Sequence, residues 1–185
     1  MKIYPLPSGD KPIRILVADD HAVVRHGLKT ILSHSGWTVC GEAKSGAEAL
    51  ALANQLRPDV VVMDLNMPGM NGLEALRAIK GRWPKIGIVV LTLHFSEQLV
   101  REIIKAGARG YVMKSDADRD LVDAVSAVAA GKTYFTVQTG TIATAADMSR
   151  STSVGTTLSG APPTSLTDCE REAVRSVAQT MRKLL

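Results

Sequence analysis

Val60-Val61-Val62-Met63-Asp64-Leu65-Asn66-Met67-Pro68-Gly69 is the stretch that decides the fold. Four apolar residues stand in a row before a single carboxylate. A strand with one wet face alternates apolar and polar residues, and this one does not. An unbroken β-branched run is what a strand buried on both faces requires, and such strands belong to parallel sheets. Ile13-Arg14-Ile15-Leu16-Val17-Ala18 repeats the pattern and ends in Asp19-Asp20.

Working outward, short apolar runs alternate with longer helical patterns. The sequence predicts strands at 13–18, 38–43, 59–64, 87–92 and 110–113, with helices at 21–35, 45–56, 72–80, 96–106 and 117–130. In the first helix Val24, Leu28, Ile31 and Leu32 recur at helical spacing. Gly36, Gly81 with Pro84, Gly107 and Gly131 supply helix stops. Five β-α units in about 120 residues predict a doubly wound α/β fold over 13–131, with 1–12 as an N-terminal extension.

Composition sets the outer limits. The chain has 185 residues, 45% of them apolar, 22% charged and only 4% aromatic, so the core is aliphatic. No run of 18 apolar residues occurs, so no membrane partner is expected. The start, Met1-Lys2-Ile3-Tyr4-Pro5, has no apolar segment of a secretory signal. Cys40 and Cys169 lie too far apart in sequence to suggest a disulfide framework or zinc site, and a reducing cytoplasm is expected. The net charge of +4 is spread without a basic block, so it reads as a solvated surface.

Residues 132–165 are crowded with Ser and Thr and broken by Gly140, Gly155, Gly160 and Pro162-Pro163, the composition of a linker. Leu166-Thr167-Asp168-Cys169-Glu170 restores a helical signal. Thr167 and Glu170 have capping-box spacing, and Val174, Val177, Ala178 and Met181 share one face. One helix over 166–185 is expected.

The candidate chemistry lies beyond the carboxyl ends of the strands, where open parallel sheets bind ligands. Asp19 and Asp20 follow the first strand, Asp64 ends the third, Thr92 the fourth, and Lys114 follows the fifth. Three close carboxylates repel one another, and a hard cation with oxygen ligands, Mg²⁺, removes the conflict. An ionised carboxylate beside a lysine can attack phosphorus, and the metal and lysine neutralise the charge on the phosphoryl oxygens. Histidines 21, 26, 34 and 94 show no metal-ligand spacing; His21 is expected beside the acidic site or capping a helix.

Ile15-Leu16-Val17-Ala18-Asp19-Asp20-His21, the segment 61–72 around Asp64, and Ala106-Gly107-Ala108-Arg109-Gly110-Tyr111-Val112-Met113-Lys114 together resemble the receiver domain of bacterial two-component response regulators. The resemblance covers about two-thirds of the chain. It implies a flavodoxin-like five-stranded sheet in the order 2-1-3-4-5. It implies that Asp64 accepts a phosphoryl group from a sensor histidine kinase. Asp19, Asp20, Asp64 and the backbone carbonyl of Asn66 would hold Mg²⁺. Thr92 would bind a phosphoryl oxygen and Lys114 would pair with the group, while Tyr111 sits at the family's switch-aromatic position. Asn66 and His94 fall where the family tunes its rates, and Leu93, larger than the usual residue there, predicts restricted access. The chain would be no enzyme beyond its own phosphorylation and dephosphorylation. Phosphorylation-dependent homodimerisation would follow.

Leu166-Thr167-Asp168-Cys169-Glu170-Arg171-Glu172-Ala173-Val174 resembles the opening of a LuxR-type helix-turn-helix domain, the output domain of the NarL/FixJ class. That domain needs about four helices, with the third in the major groove. Only the first is legible here, and Gln179-Thr180-Met181-Arg182 replaces the usual turn. The chain reads as a fragment of a longer regulator or one that has lost its output domain. DNA is a partner, and transcription the output, only where a complete output domain is present. The alternative is a free-standing receiver acting by protein–protein contact. A phosphoaspartate hydrolase of the haloacid-dehalogenase type is disfavoured because Asp64-Leu65-Asn66 lacks the second carboxylate. A cobalamin domain is disfavoured because Val24 stands where its glycine belongs. A phosphorylation-independent module would normally lack one of the site residues.

Overall fold

The computed structural model describes residues 11–93 and 96–135. The expectations for 1–10, His94, the rest of the linker and the helix at 166–185 lie outside the described residues.

The strands are β1 (Arg14–Ala18), β2 (Thr38–Ala43), β3 (Val60–Asp64), β4 (Gly87–Thr92), β5 (Gly110–Met113) and β6 (Tyr134–Phe135). The helices are α1 (Ala22–His34), α2 (Gly46–Leu56), α3 (Gly72–Arg82), α4 (Glu97–Lys105) and α5 (Ala117–Ala129). All strand pairs are parallel, in the order β2-β1-β3-β4-β5-β6. The five expected strands and their order hold. The sixth was not legible, because two residues leave no periodicity to read. Its position rests on backbone pairing beside β5, with the Tyr134 N–H donating to the Arg109 carbonyl at 2.8 Å.

Because successive strand residues point to opposite faces, the unbroken runs feed two cores. Ile15, Val17, Val60, Val62, Val89 and Leu91 pack on one side with Val24, Leu28 and Leu32 of α1 and Leu121 and Val125 of α5. Leu16, Val61, Met63, Ile88, Val90 and Tyr111 face the other side, with Ala49 and Ala53 of α2, Leu76 and Ile79 of α3, and Ile103 of α4. All five β3 residues are buried, as the run at 60–64 demands.

Local signals start the helices. The Ser45 and Ser96 hydroxyls accept from the N–H groups of Glu48 and Leu99, and Asn71 forms a reciprocal capping box with Glu74. Gly36 and Gly131 sit just past helix ends at φ +77, where a side chain would be strained. The predicted end of α3 is corrected: the helix continues through Gly81 to Arg82. Glycine lowers helix stability without forbidding it, and the stop comes at Trp83, which precedes Pro84.

Candidate functional site

Parallel pairing brings the ends of β1, β3, β4 and β5 to one edge, where four polar side chains are almost completely enclosed. Asp19, Asp64, Thr92 and Lys114 are all buried, with Asp19 at 0% exposure. Asp19 follows β1 and donates its backbone N–H to the Ala43 carbonyl beside it, at 3.0 Å. Asp64 closes β3 opposite Leu91, and Thr92 stands one position further along β4. Lys114 opens a single 3-10 turn directly after β5.

The Lys114 ammonium joins the set. Nζ donates to Asp19 Oδ2 at 2.6 Å and to Asp64 Oδ2 at 2.7 Å. The second oxygens are also engaged. The His21 N–H donates to Asp19 Oδ1 at 2.8 Å, and the Asn66 N–H donates to Asp64 Oδ1 at 3.2 Å. Asp20 lies nearer the surface, its side chain 29% exposed, with Oδ1 2.7 Å from His21 Nδ1. His21 is the N-cap residue of α1 but makes no side-chain cap bond, so its ring lies beside the acidic pair, one of the two places expected for it.

Two carboxylates share one buried ammonium, leaving the group with one excess negative charge. Burial pushes the Asp64 carboxyl above its usual range. Lys114 pulls it down, by attraction and by hydrogen bonding, and Asp19 pushes it up again. Burial pulls Lys114 down, but attraction to Asp19 and Asp64 outweighs this and holds its pKa above the ordinary lysine value. Among the described residues this buried set holds more carboxylate than ammonium charge, which favours a cation.

Asp19, Asp20 and His21 each offer a ligand atom, all within 4.8 Å of one another. The carboxylates are hard oxygen donors of the kind that Mg²⁺ accepts, and the excess negative charge fits a divalent cation. Asp64 connects to this group through Lys114. Tyr111 lies fully buried in β5, opposite Val90, and burial raises its phenol pKa. Leu93 is half-buried at the end of β4.

Arg25 was missed in the sequence, where it reads as one more charge on an amphipathic helix. Its guanidinium NH1 donates to the carbonyls of Asp19 at 2.8 Å and Asp20 at 3.3 Å, fixing the backbone that carries the acidic pair. A cation one turn into a helix beginning at an acidic pair was the available signal.

The profile of the response regulator receiver domain matches residues 15–126. The chain belongs to the response regulator receiver family. Among curated relatives, a transcriptional regulatory protein of Bacillus subtilis, YxjL, is 41% identical over 124 residues, covering 66% of this chain and 57% of that protein. The nitrate/nitrite response regulator NarL of Escherichia coli is 40% identical over 126 residues, covering 68% of this chain and 58% of its own length. The match thus spans a little over half of these relatives. Solved receivers agree: the signal receiver domain of a NarL from Mycobacterium tuberculosis superposes with a TM-score of 0.63 at 34% identity, covering 65% of this chain and 98% of that one. A LuxR-family response regulator from Aurantimonas also gives a TM-score of 0.63, at 38% identity, covering 65% and 87%. In this receiver, no described helix is long and apolar enough to cross a membrane.

Proposed function

We propose that the receiver is a phosphorylation switch in which Asp64 is the phosphoacceptor. One observation carries this reading: a buried carboxylate at a strand end, hydrogen-bonded by a buried ammonium and paired with a second acidic residue. One Asp64 oxygen attacks the phosphorus of a phosphohistidine on a sensor histidine kinase. The new O–P bond forms as the N–P bond breaks, and the imidazole leaves and takes a proton from water. The carboxylate becomes an acyl phosphate. Hydrolysis by water returns the carboxylate and inorganic phosphate, so no other substrate is turned over.

Lys114 is placed to move its hydrogen bond from Asp64 to a phosphoryl oxygen while Asp19 still holds it. Thr92, at the end of the adjoining strand, would donate its hydroxyl to another. Asp19, Asp20, Asp64 and the Asn66 carbonyl would hold Mg²⁺, which when bound neutralises charge on the phosphoryl oxygens. Tyr111, buried beneath that edge, would transmit the change to the surface of α4, β5 and α5, where Ile104 is 47% exposed. That surface would then form a homodimer or act on an output segment. The longer relatives, which are transcriptional regulatory proteins, support transcriptional control as the output, with DNA contacted by a complete helix-turn-helix domain rather than by the receiver.

Intact mass spectrometry after incubation with Mg²⁺ and acetyl phosphate tests the reading. One phosphoryl adduct is expected on the wild type and none on Asp64→Asn. Absence of the adduct from the wild type, or its persistence in the variant, would overturn it.

A further inference from the structure

At the opposite edge of the sheet, the turns preceding β3, β4 and β5 surround a cleft of about 610 Å³ with the end of α5. Arg57, Arg82, Lys85 and Arg109 line it, contributed by three separate turns. Among the described lining residues Asp59 is the one carboxylate, and its Oδ2 already accepts from the Arg14 N–H at 2.8 Å. No carboxylate forms an ion pair with any of the four cations among the described residues.

Two of the four are held in place by neutral partners. Arg109 NH1 donates to the Gly131 carbonyl at 3.0 Å, and Arg57 Nε donates to the Asn54 carbonyl at 2.9 Å. Arg57 adopts a left-handed conformation, φ 48, at the end of α2, where glycine is the usual residue. In that pose its guanidinium lies over the Trp83 ring, 4.7 Å from the centroid. Just behind the cleft, the Lys80 ammonium is tied to the carbonyls of Pro84 and Ile86 at 2.5 and 2.9 Å. Burial lowers its pKa, and the neighbouring Arg109 lowers it further.

The remaining lining is apolar, including Pro84, Ile86 and Val128. Concave, partly apolar walls with a few fixed charges are the usual make-up of small-molecule sites, and the volume lies within their range of about 300–1,000 Å³. Arginine forks match phosphate oxygens two at a time, and a guanidinium stacked on indole offers a flat surface to a planar ring. A long polyanion would need a basic stripe rather than a pocket.

We propose that this cleft binds a small, multiply charged phosphate ester of the nucleoside polyphosphate class, at a site separate from Asp64. Calorimetric titration of the full chain in EDTA at 0.15 M salt tests it, with ATP, inorganic pyrophosphate and a single-stranded oligonucleotide as probes. ATP is expected to bind saturably at one site, and pyrophosphate, which lacks the ring, at least about tenfold more weakly. The exposed double substitution Arg82→Gln/Lys85→Gln should weaken ATP about tenfold or more, because it removes two charge-assisted contacts. The variant's fold is checked by its melting temperature and by phosphorylation of Asp64. Asp64→Asn should leave ATP affinity unchanged. Absence of saturable ATP binding, indifference to the double substitution, loss of ATP binding in Asp64→Asn, or tighter binding of the oligonucleotide than of ATP would each overturn the proposal.

Discussion

Replacing Asp64 by Asn should make the metal-free protein more stable, although it removes the proposed phosphoacceptor. The Asp64 side chain is 3% exposed and, among the described residues, shares its cationic partner Lys114 with Asp19, so one ammonium serves two buried carboxylates. The amide has one oxygen where the carboxylate serves the Asn66 N–H and Lys114 with a separate oxygen each, so one of these two bonds is lost, and a one-to-one pair remains between Lys114 and Asp19. Replacing a buried ion pair by neutral groups is often neutral or stabilising by about 1–4 kcal/mol, and here only the surplus carboxylate is neutralised while the Lys114–Asp19 pair stays intact. The lower half of that range applies, because Lys114 already offsets part of the penalty. A gain of about 1–2 kcal/mol would raise Tm by roughly 3–6 °C per kcal/mol in a domain of this size. The sign with pH also follows. Asp64 has a raised folded pKa, so the folded wild type binds this proton more tightly than the unfolded chain does. Its stability therefore improves as pH falls towards the acid range, and the advantage of Asp64→Asn shrinks. Thermal melts of both proteins in EDTA, at steps from pH 8 downwards, provide the assay. A variant no more stable than wild type at pH 7.5, or a gap that widens on acidification, would refute the charge accounting.

Three other outcomes follow from the same geometry. Lys114→Met leaves Asp19 and Asp64 facing each other without a cation and should lower stability by about 3–5 kcal/mol in urea denaturation at pH 7.5; Lys114 has a raised folded pKa, so its contribution is fully present there and is lost only as pH rises beyond the ordinary lysine range of about 10.4. Gly72→Ala should destabilise by about 2 kcal/mol or more and reduce the phosphoryl adduct, because the new Cβ would overlap the Asp64 carbonyl oxygen and lie 2.7 Å from the Leu65 Cα; equilibrium unfolding and intact mass check both effects. Leu93→Ala should speed loss of the phosphoryl group about two- to tenfold, a barrier change of up to ~1.4 kcal/mol, in a phosphate-release time course, and an unchanged rate would remove Leu93 as a shield.

Much of the fold was legible because its strands are apolar on both faces. Val60-Val61-Val62-Met63 has no wet side to disguise it, and all four residues are buried. Asp19, Asp64 and Lys114 could be placed together because parallel connection puts every strand end at one edge. The pattern could not show that Lys114 bonds both carboxylates, since sequence fixes which edge a side chain occupies and not the hydrogen bonds it makes there. Gly81 misled because glycine only weakens a helix, while Pro84 decided where α3 stopped. The cluster of Arg57, Arg82, Lys85 and Arg109 was invisible as a basic block. Its members are scattered along the chain and meet only when three turns come together.

The bonds made by Lys114 reach back 95 residues to Asp19 and 50 to Asp64. During synthesis at roughly 5–20 residues per second, both aspartates leave the ribosome seconds before the lysine that completes the cluster. A nascent chain stalled between β3 and β5 carries the acidic groups but not the ammonium that holds them. On the proposed reading, competence to accept a phosphoryl group would arise late, together with the addition of β5 to the sheet. If Asp64 is the phosphoacceptor as proposed, a kinase meeting a chain that ends before Lys114 would find the carboxylate without its ammonium.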